Sequence, residues 1–542
     1  MARFAPRHRV VTHQTGAQPP STPRWWLLIY LVGGIAVYWS ILDSWFVADD
    51  WDFLLLAHRA TGPMVAFTPL VGRFLRPLEV LTYYVNYEAF GLRPFPYHLT
   101  VVAVHIVSTW LVTRLAFRLG ADRTIAFSAG LIFLFFGGHS EAVTWLGGAA
   151  DAWLAMFMLA GLLLLARGLE AERATGSLAA ALLVLTAGYL AKEPAGIAPG
   201  LIVAFGASRL LAAGAPARRI ITRTILLAGL STAALGGYVL IRARLFGSAF
   251  GAYSALGINP DLTGAFRAFL IRAFLPPGRV VEYLWMHQYD LVLVIAGAVL
   301  VAVLAVRYAT DRPALVFLSA ALLISLAPSA PLSIALINTV SERYLYTPTA
   351  FSCILMAWTI VRALPSRSLA QAAIGGLVVA HGVTLAAANR TWSEAAAVCR
   401  TLSSQIVEAV NQTPPGAQVI VLSVPDTING AYVMRGAFRN ALLITGRNVD
   451  PSDVRARFLA STMNVSAKDV TFVERTGPRS FTVTLKQGRF AEAALPPSPE
   501  YTVERWSSRG FDVTLAPTGH RIEVFFSSEG RLYHAGRVEA GS

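Results

Sequence analysis

The stretch RWWLLIYLVGGIAVYWSILDSWFVADDWDF, residues 24–53, decides how the chain is read. Residues 25–42 form an uninterrupted apolar run, close to the ~20 residues a helix needs to cross a bilayer. Residues 45–53, WFVADDWDF, then set Asp49, Asp50 and Asp52 where such a chain re-enters water. A charge at the bilayer centre costs ~2.5–3.5 kcal/mol even on insertion scales, so an acid cluster beside a span has no packing reason to exist. It is the first candidate for chemistry. The alternative is an interfacial loop whose acids simply face solvent.

Composition agrees with the first run. Of the 542 residues, 55% are hydrophobic and 14% charged, more apolar surface than one soluble core can bury. The fold class expected is a mostly α polytopic membrane protein. The formal charge of +14 raises the question of nucleic acid, but the arginines sit in short clusters between apolar runs, as topology signals do. No nucleic-acid partner is expected. Two cysteines, Cys353 and Cys399, are too few for a disulfide framework. Residues 1–24 are polar and basic, and the following run ends in Asp43 and aromatic residues rather than a small-residue cleavage site. This reads as a cytoplasmic segment followed by a retained span.

Further apolar runs follow at 97–117, 124–136, 151–166, 177–191, 195–211, 224–241, 291–306, 314–332, 348–363 and 369–388, about eleven spans with the first, several of them short. Assigning alternate loops to the cytoplasm collects Arg114, Arg118 and Arg123, Arg167 and Arg173, Arg218, Arg219 and Arg223, Arg307 and Arg312, and Arg362 and Arg367 on the inside. The opposite loops carry Asp49, Asp50, His139, Glu141, Lys192, Glu193, Glu342 and Arg343. Two of those loops, 43–96 and 242–290, are long and contain arginine-rich amphipathic segments suited to the interface plane. The expected address is the cell inner (plasma) membrane, multi-pass, with membrane lipid as a partner.

After residue 392 the composition becomes that of a soluble domain, 393–542, which an odd number of spans places outside the cytoplasm. QVIVLSV (418–424) reads as a strand and 432–443 as a helix, while 480–486, 511–515 and 521–526 alternate like half-buried strands. The expectation is α/β at the start and β-rich at the end. No repeat, metal, phosphate-loop or nucleophile motif stands out there.

The remaining charged motifs are HSEAVTWLGGAAD (139–151), AKEP (191–194) and SERYLY (341–346). Taken singly, a Lys-Glu pair is a local ion pair and an Arg among tyrosines is an interfacial anchor. Together they converge on the membrane face that carries the acids.

With ADD (48–50), RPLEVLTYYVNYEAFGLRPFPYHL (76–99), KEPAG (192–196) and NRTWSEAAAV (389–398), the motif order resembles the membrane half of the transmembrane-and-TPR O-mannosyltransferases and their bacterial relatives. These are integral-membrane glycosyltransferases of the GT-C class, and the resemblance covers roughly residues 25–398. It implies transfer of a sugar, mannose or another hexose or pentose, from a polyprenyl-phosphate donor to a lipid, glycan or protein acceptor outside the cytoplasm. It also implies Asp49 as general base with Asp50 supporting it. Lys192 and Arg343 would bind the donor phosphate, helped by Arg73 and Arg76, with His139, Glu141, Glu193, Glu342 and Tyr346 near the substrates. The tail departs from the pattern, since it shows no 34-residue helical repeat.

The residue types fit that chemistry independently. A sugar on a lipid phosphate already has a good leaving group, so an enzyme needs only a base for the acceptor hydroxyl and cations for the departing phosphate. A divalent cation would find two candidate ligands, His139 and Glu141, without a clear third, so no metal site is assigned. A transporter or flippase for lipid-linked sugars is the alternative, but it predicts charges at mid-membrane depth, where these runs are almost free of them. An O-antigen-type polymerase would share the substrate class.

Overall fold

The computed structural model describes residues 23–69, 74–212, 216–247, 260–414, 416–435, 438–445 and 456–541. The helices run in chain order as α1 (Arg24–Tyr38), α2 (Asp50–Arg59), α3 (Pro77–Phe90), α4 (Pro94–Arg118), α5 (Arg123–Leu134), α6 (Ser140–Thr144), α7 (Ala150–Glu170), α8 (Thr175–Ala187) and α9 (Ala198–Leu210). They continue as α10 (Ala217–Phe246), α11 (Leu262–Arg272), α12 (Arg279–Met286), α13 (Tyr289–Arg307), α14 (Arg312–Leu326), α15 (Tyr346–Ala363) and α16 (Arg367–Gln412). Their starts are written locally. Asp122 accepts the Ile125 N–H at 2.9 Å and Ser366 the Leu369 N–H at 3.2 Å, while α3 and α4 place proline in the first turn.

Among the described residues, eight helical stretches are long and apolar enough to cross a membrane: Arg24–Ile41, Pro94–Arg118, Leu146–Glu170, Ala217–Phe246, Tyr289–Arg307, Arg312–Ser329, Glu342–Ala363 and Arg367–Gln412. Arg123–Leu134 and Thr175–Leu190 are apolar but shorter, and α9 has 13 residues. Each apolar run in the sequence is thus occupied by a helix, but three of these helices are shorter than a bilayer crossing requires. Close packing shields the short α5: a Cβ on Gly130 would lie 2.3 Å from the Tyr30 hydroxyl, which bonds Thr113 of α4 at 2.9 Å.

The charges separate to two ends of the bundle. At one end Glu170 receives Arg118 (3.2 Å) and Arg209 (2.7 Å), and Arg362 bridges Asp311 (2.7 Å) and Asp122 (3.6 Å). The motifs carrying Asp49, Glu141, Lys192 and Arg343 occupy the helix ends and turns opposite.

The C-terminal part is β-rich, with α17 (Phe438–Thr445) and strands β1 (Gln418–Ile428), β2 (Ala431–Tyr432), β3 (Ala456–Asn464), β4 (Thr471–Arg475), β5 (Ser480–Leu485), β6 (Arg489–Phe490), β7 (Tyr501–Glu504), β8 (Gly510–Leu515), β9 (Ile522–Ser528) and β10 (Arg531–Val538). One sheet has the order β10-β9-β1-β3-β6, with β2 hairpinned onto β1 and with β1 parallel to both β3 and β9. The other, β4-β5-β8-β7, is antiparallel throughout. Because side chains alternate along a strand, β1 serves two cores. Val419 and Val421 pack with Trp392, Cys399, Leu402 and Ile406 of α16, whereas Ile420 and Leu422 pack with Phe481, Val483, Phe511 and Val513 of the second sheet.

Two sequence expectations change here. The helix expected over 432–443 begins only at Phe438, because Asn429 (φ +45°) and Gly430 (φ +87°) form a tight turn that pairs Ile428 with Ala431 and Thr427 with Tyr432. The composition change near residue 393 falls inside α16, which continues unbroken for 46 residues. Trp392 and the apolar face that follows it cover β1, so the same helix serves both halves of the chain.

Candidate active site

The segment WFVADDWDF, 45–53, at the start of the 43–96 loop and called loop one below, is held from both sides. Ala48 sits in the left-handed region (φ +45°), rare for a residue with a side chain, and its N–H donates to the Val433 carbonyl at 3.0 Å. Asp50 is buried and acts as a tie. Its Oδ2 accepts the Val47 N–H at 2.9 Å, and its Oδ1 accepts the Tyr83 hydroxyl at 2.7 Å and the Gly147 N–H at 2.8 Å. One carboxylate thereby joins loop one, α3 and the WLGG turn. Burial pushes its pKa up to about 7 against those three bonds.

The adjacent Asp49 is the opposite case. It stands at the N-cap position of α2, makes no capping bond and is exposed. The protein crowded around it removes enough water to raise its pKa above the ordinary carboxylate value, opposed by the positive charges of Arg435, Arg343 and Arg76. An accessible carboxylate with raised proton affinity, within the field of three guanidinium groups, has the properties of a general base beside an anion site. Asp52, one of the three acids read as lying where the chain re-enters water, is instead partly buried and hydrogen-bonded by Asn440 of α17. The correction has a simple cause: α17 packs on α2.

The other motifs form ion pairs around this point. Arg343 donates to Glu141, which also accepts the Arg343 backbone N–H at 2.9 Å and the Tyr432 hydroxyl at 3.2 Å. The Arg343 guanidinium lies 4.5 Å from the Tyr344 ring centre and 5.1 Å from that of Trp145. Lys192 and Glu193 do not pair with each other. Lys192 is buried against Asp151, while Glu193 takes Arg242 at 2.7 Å and Arg76 at 3.8 Å. Arg76 also reaches Glu79 at 3.4 Å, whose buried carboxyl has its pKa raised to about 8, chiefly by desolvation. Glu342 pairs with Arg272 at 3.0 Å, both fully buried. Removing one partner of such a pair costs ~3–5 kcal/mol, so these two side chains hold the SERYLY turn in place.

His139 and Tyr346 lie inside the bundle. His139 bonds Thr349 at 2.7 Å and Tyr346 bonds His105 at 2.7 Å, and neither side chain reaches solvent. Arg73 lies outside the described residues. Among the described residues no group of three or more His, Cys, Asp or Glu side chains is gathered to hold a metal ion. Sequence reasoning missed Tyr432, Arg435, Glu79 and Arg242. The first two belong to the tail, and the signal for them was Asn-Gly at 429–430, a two-residue hairpin dipeptide that aims the following residues at loop one.

No protein-family model matches the chain. It is 35% identical over 172 residues to the protein O-mannosyl-transferase Tmtc1 of Drosophila melanogaster, covering 29% of this chain and 20% of that protein. It is 40% identical over 147 residues to the protein O-mannosyl-transferase TMTC2 of Mus musculus, covering 24% of this chain and 17% of that protein. The matched part spans about a fifth of the length of these curated relatives. They are the group that the motif order resembles. Among solved structures, ArnT of Cupriavidus metallidurans bound to undecaprenyl phosphate overlaps 91% of this chain and 98% of its own, at 12% identity and a TM-score of 0.45. The Archaeoglobus fulgidus oligosaccharyltransferase overlaps 73% of this chain and 60% of its own, at 12% identity and a TM-score of 0.44.

Proposed function

We propose that this protein is a multi-pass membrane glycosyltransferase that moves a sugar from a polyprenyl-phosphate donor to an acceptor hydroxyl on the extracytoplasmic face. The observation that carries the reading is Asp49: an exposed carboxylate of raised pKa, on a loop tied down by Asp50, within the field of Arg343 and Arg76. The names of the curated relatives, protein O-mannosyl-transferases, favour mannose and a protein acceptor.

In this reading Asp49 takes the proton of the acceptor hydroxyl as its oxygen forms a bond to C1 of the sugar. The bond between C1 and the phosphate oxygen breaks, and its electron pair leaves with the polyprenyl phosphate. The departing phosphate gains negative charge, which Arg343 and Arg76 stabilise, and the proton passes from Asp49 to solvent. The pairs to Glu141 and Glu193 fix where those guanidinium groups point, so little reorganisation accompanies the reaction. Lys192, closed in against Asp151, positions the KEP turn rather than meeting the donor directly.

The test is transfer of radiolabelled mannose from polyprenyl-phosphate mannose by the purified protein in proteoliposomes. Labelled product with the natural envelope fraction as acceptor is expected. Translocation of the intact donor across the vesicle without consumption would instead identify a flippase.

A further inference from the structure

The C-terminal part enters the site through one short segment, the β1–β2 hairpin and the residues after it. Gly430, at the tip, is against the SERYLY side: a Cβ there would lie 2.8 Å from the Asn338 side chain and 3.1 Å from Val340. Tyr432 is buried, bonds Glu141 at 3.2 Å and stacks edge-on with Trp145 at 4.8 Å. Val433 accepts the Ala48 N–H, one residue before Asp49. Three separate contacts therefore wedge residues 430–433 between loop one, α6 and the SERYLY turn, and the chain emerges from that wedge at Arg435.

The other guanidinium groups whose charge reaches Asp49 are enclosed and committed to carboxylates. Arg343 is 16% exposed and bonded to Glu141, and Arg76 is 12% exposed and paired with Glu79 and Glu193. Arg435 is 54% exposed, lies 4.9 Å above the Tyr432 ring and, among the described residues, touches a single carboxylate, Asp426, at 3.9 Å. At that distance the contact is a loose ion pair that leaves the planar fork of donors open to a ligand. Its field also reaches Asp49.

Resting on the transferase reading, we infer that Arg435, delivered by the C-terminal hairpin, is a substrate-binding residue of the membrane active site that grips the phosphate of the polyprenyl-phosphate lipid. The soluble part then completes the site instead of only presenting an acceptor to it. Tyr432 positions this arginine, and Asp426 holds it in its resting place.

The experiment measures binding of undecaprenyl phosphate, and of undecaprenol as the phosphate-free control, to the full-length protein in nanodiscs. Arg435→Gln is expected to weaken undecaprenyl phosphate binding about tenfold or more, as loss of a charge-assisted fork does, and Arg435→Lys to restore part of it. Undecaprenol is expected to bind both variants and the wild type alike. Asp426→Asn, which removes only the resting partner, is expected to shift affinity less than about threefold. Equal affinity of wild type and Arg435→Gln for undecaprenyl phosphate would overturn the inference and leave the donor reading intact. So would a loss shared by undecaprenol, which marks a folding defect, or an equal loss in Asp426→Asn, which marks a structural ion pair. Failure of the wild type to prefer undecaprenyl phosphate over undecaprenol would overturn both.

Discussion

Asp49 and Asp50 are adjacent in sequence and opposite in circumstance, which gives each a distinct expected phenotype. Asp49→Asn keeps the shape but not the base, so transfer is expected to fall ~10²–10⁴-fold with normal expression, read as labelled product per milligram of protein. The wild-type rate should rise with pH as Asp49 ionises and drop as pH falls through its raised pKa. Asp50→Asn places an amide donor where the Val47 N–H or the Gly147 N–H now donates, and the melting temperature should drop by the equivalent of ~1–3 kcal/mol. Glu79 supplies a separate test, since its folded pKa of about 8 lies above the ordinary 4.5. Folding favours its protonated form, so its stabilising effect is complete below the ordinary value and is lost as pH rises through about 8. Melting curves of wild type and Glu79→Gln should coincide near pH 5 and separate at alkaline pH, with the glutamine variant the more stable. The acid pair was visible in the sequence because charges next to an apolar run are conspicuous. Its division of labour was not, because that depends on Tyr83 and Gly147, 33 and 97 residues away.

The elements that matter most for the site are α16 and the hairpin it supports. Apolar periodicity disclosed the helices, and alternation disclosed β5, β8 and β9 nearly to the residue. The continuity of α16 was hidden because its burial switches partners halfway, from the bundle to β1, and a composition change looks like a boundary. The hairpin was hidden by the apolar residues after Gly430, which read as helical until the Asn-Gly turn is given precedence. A break in α16 should uncouple the two halves: Ala397→Pro removes a backbone donor at an exposed position, costing ~3 kcal/mol or more without opening a core cavity. Transfer is expected to be lost while membrane insertion persists, measured as activity against carbonate-resistant membrane yield.

At the scale of the molecule, the arginine-rich loops gather at one end of the bundle and the acid, lysine and SERYLY motifs at the other, which is the polarity that loop charges alone implied. A reporter that fluoresces only in the cytoplasm should therefore stay dark when fused after residue 542 and light up when fused before Met1. Long-range pairing was the part that sequence could not supply: Lys192 meets Asp151 rather than its neighbour Glu193, and Arg343 meets Glu141 across some two hundred residues of chain. The central claim is that the open carboxylate of loop one drives sugar transfer in the cell. The most direct measurement is mass spectrometry of cell-envelope glycoconjugates from a strain lacking the protein, complemented with wild type or with Asp49→Asn at matched membrane levels. The account predicts a hexose- or pentose-bearing species that wild type restores and Asp49→Asn does not; restoration by Asp49→Asn to the wild-type level would contradict it.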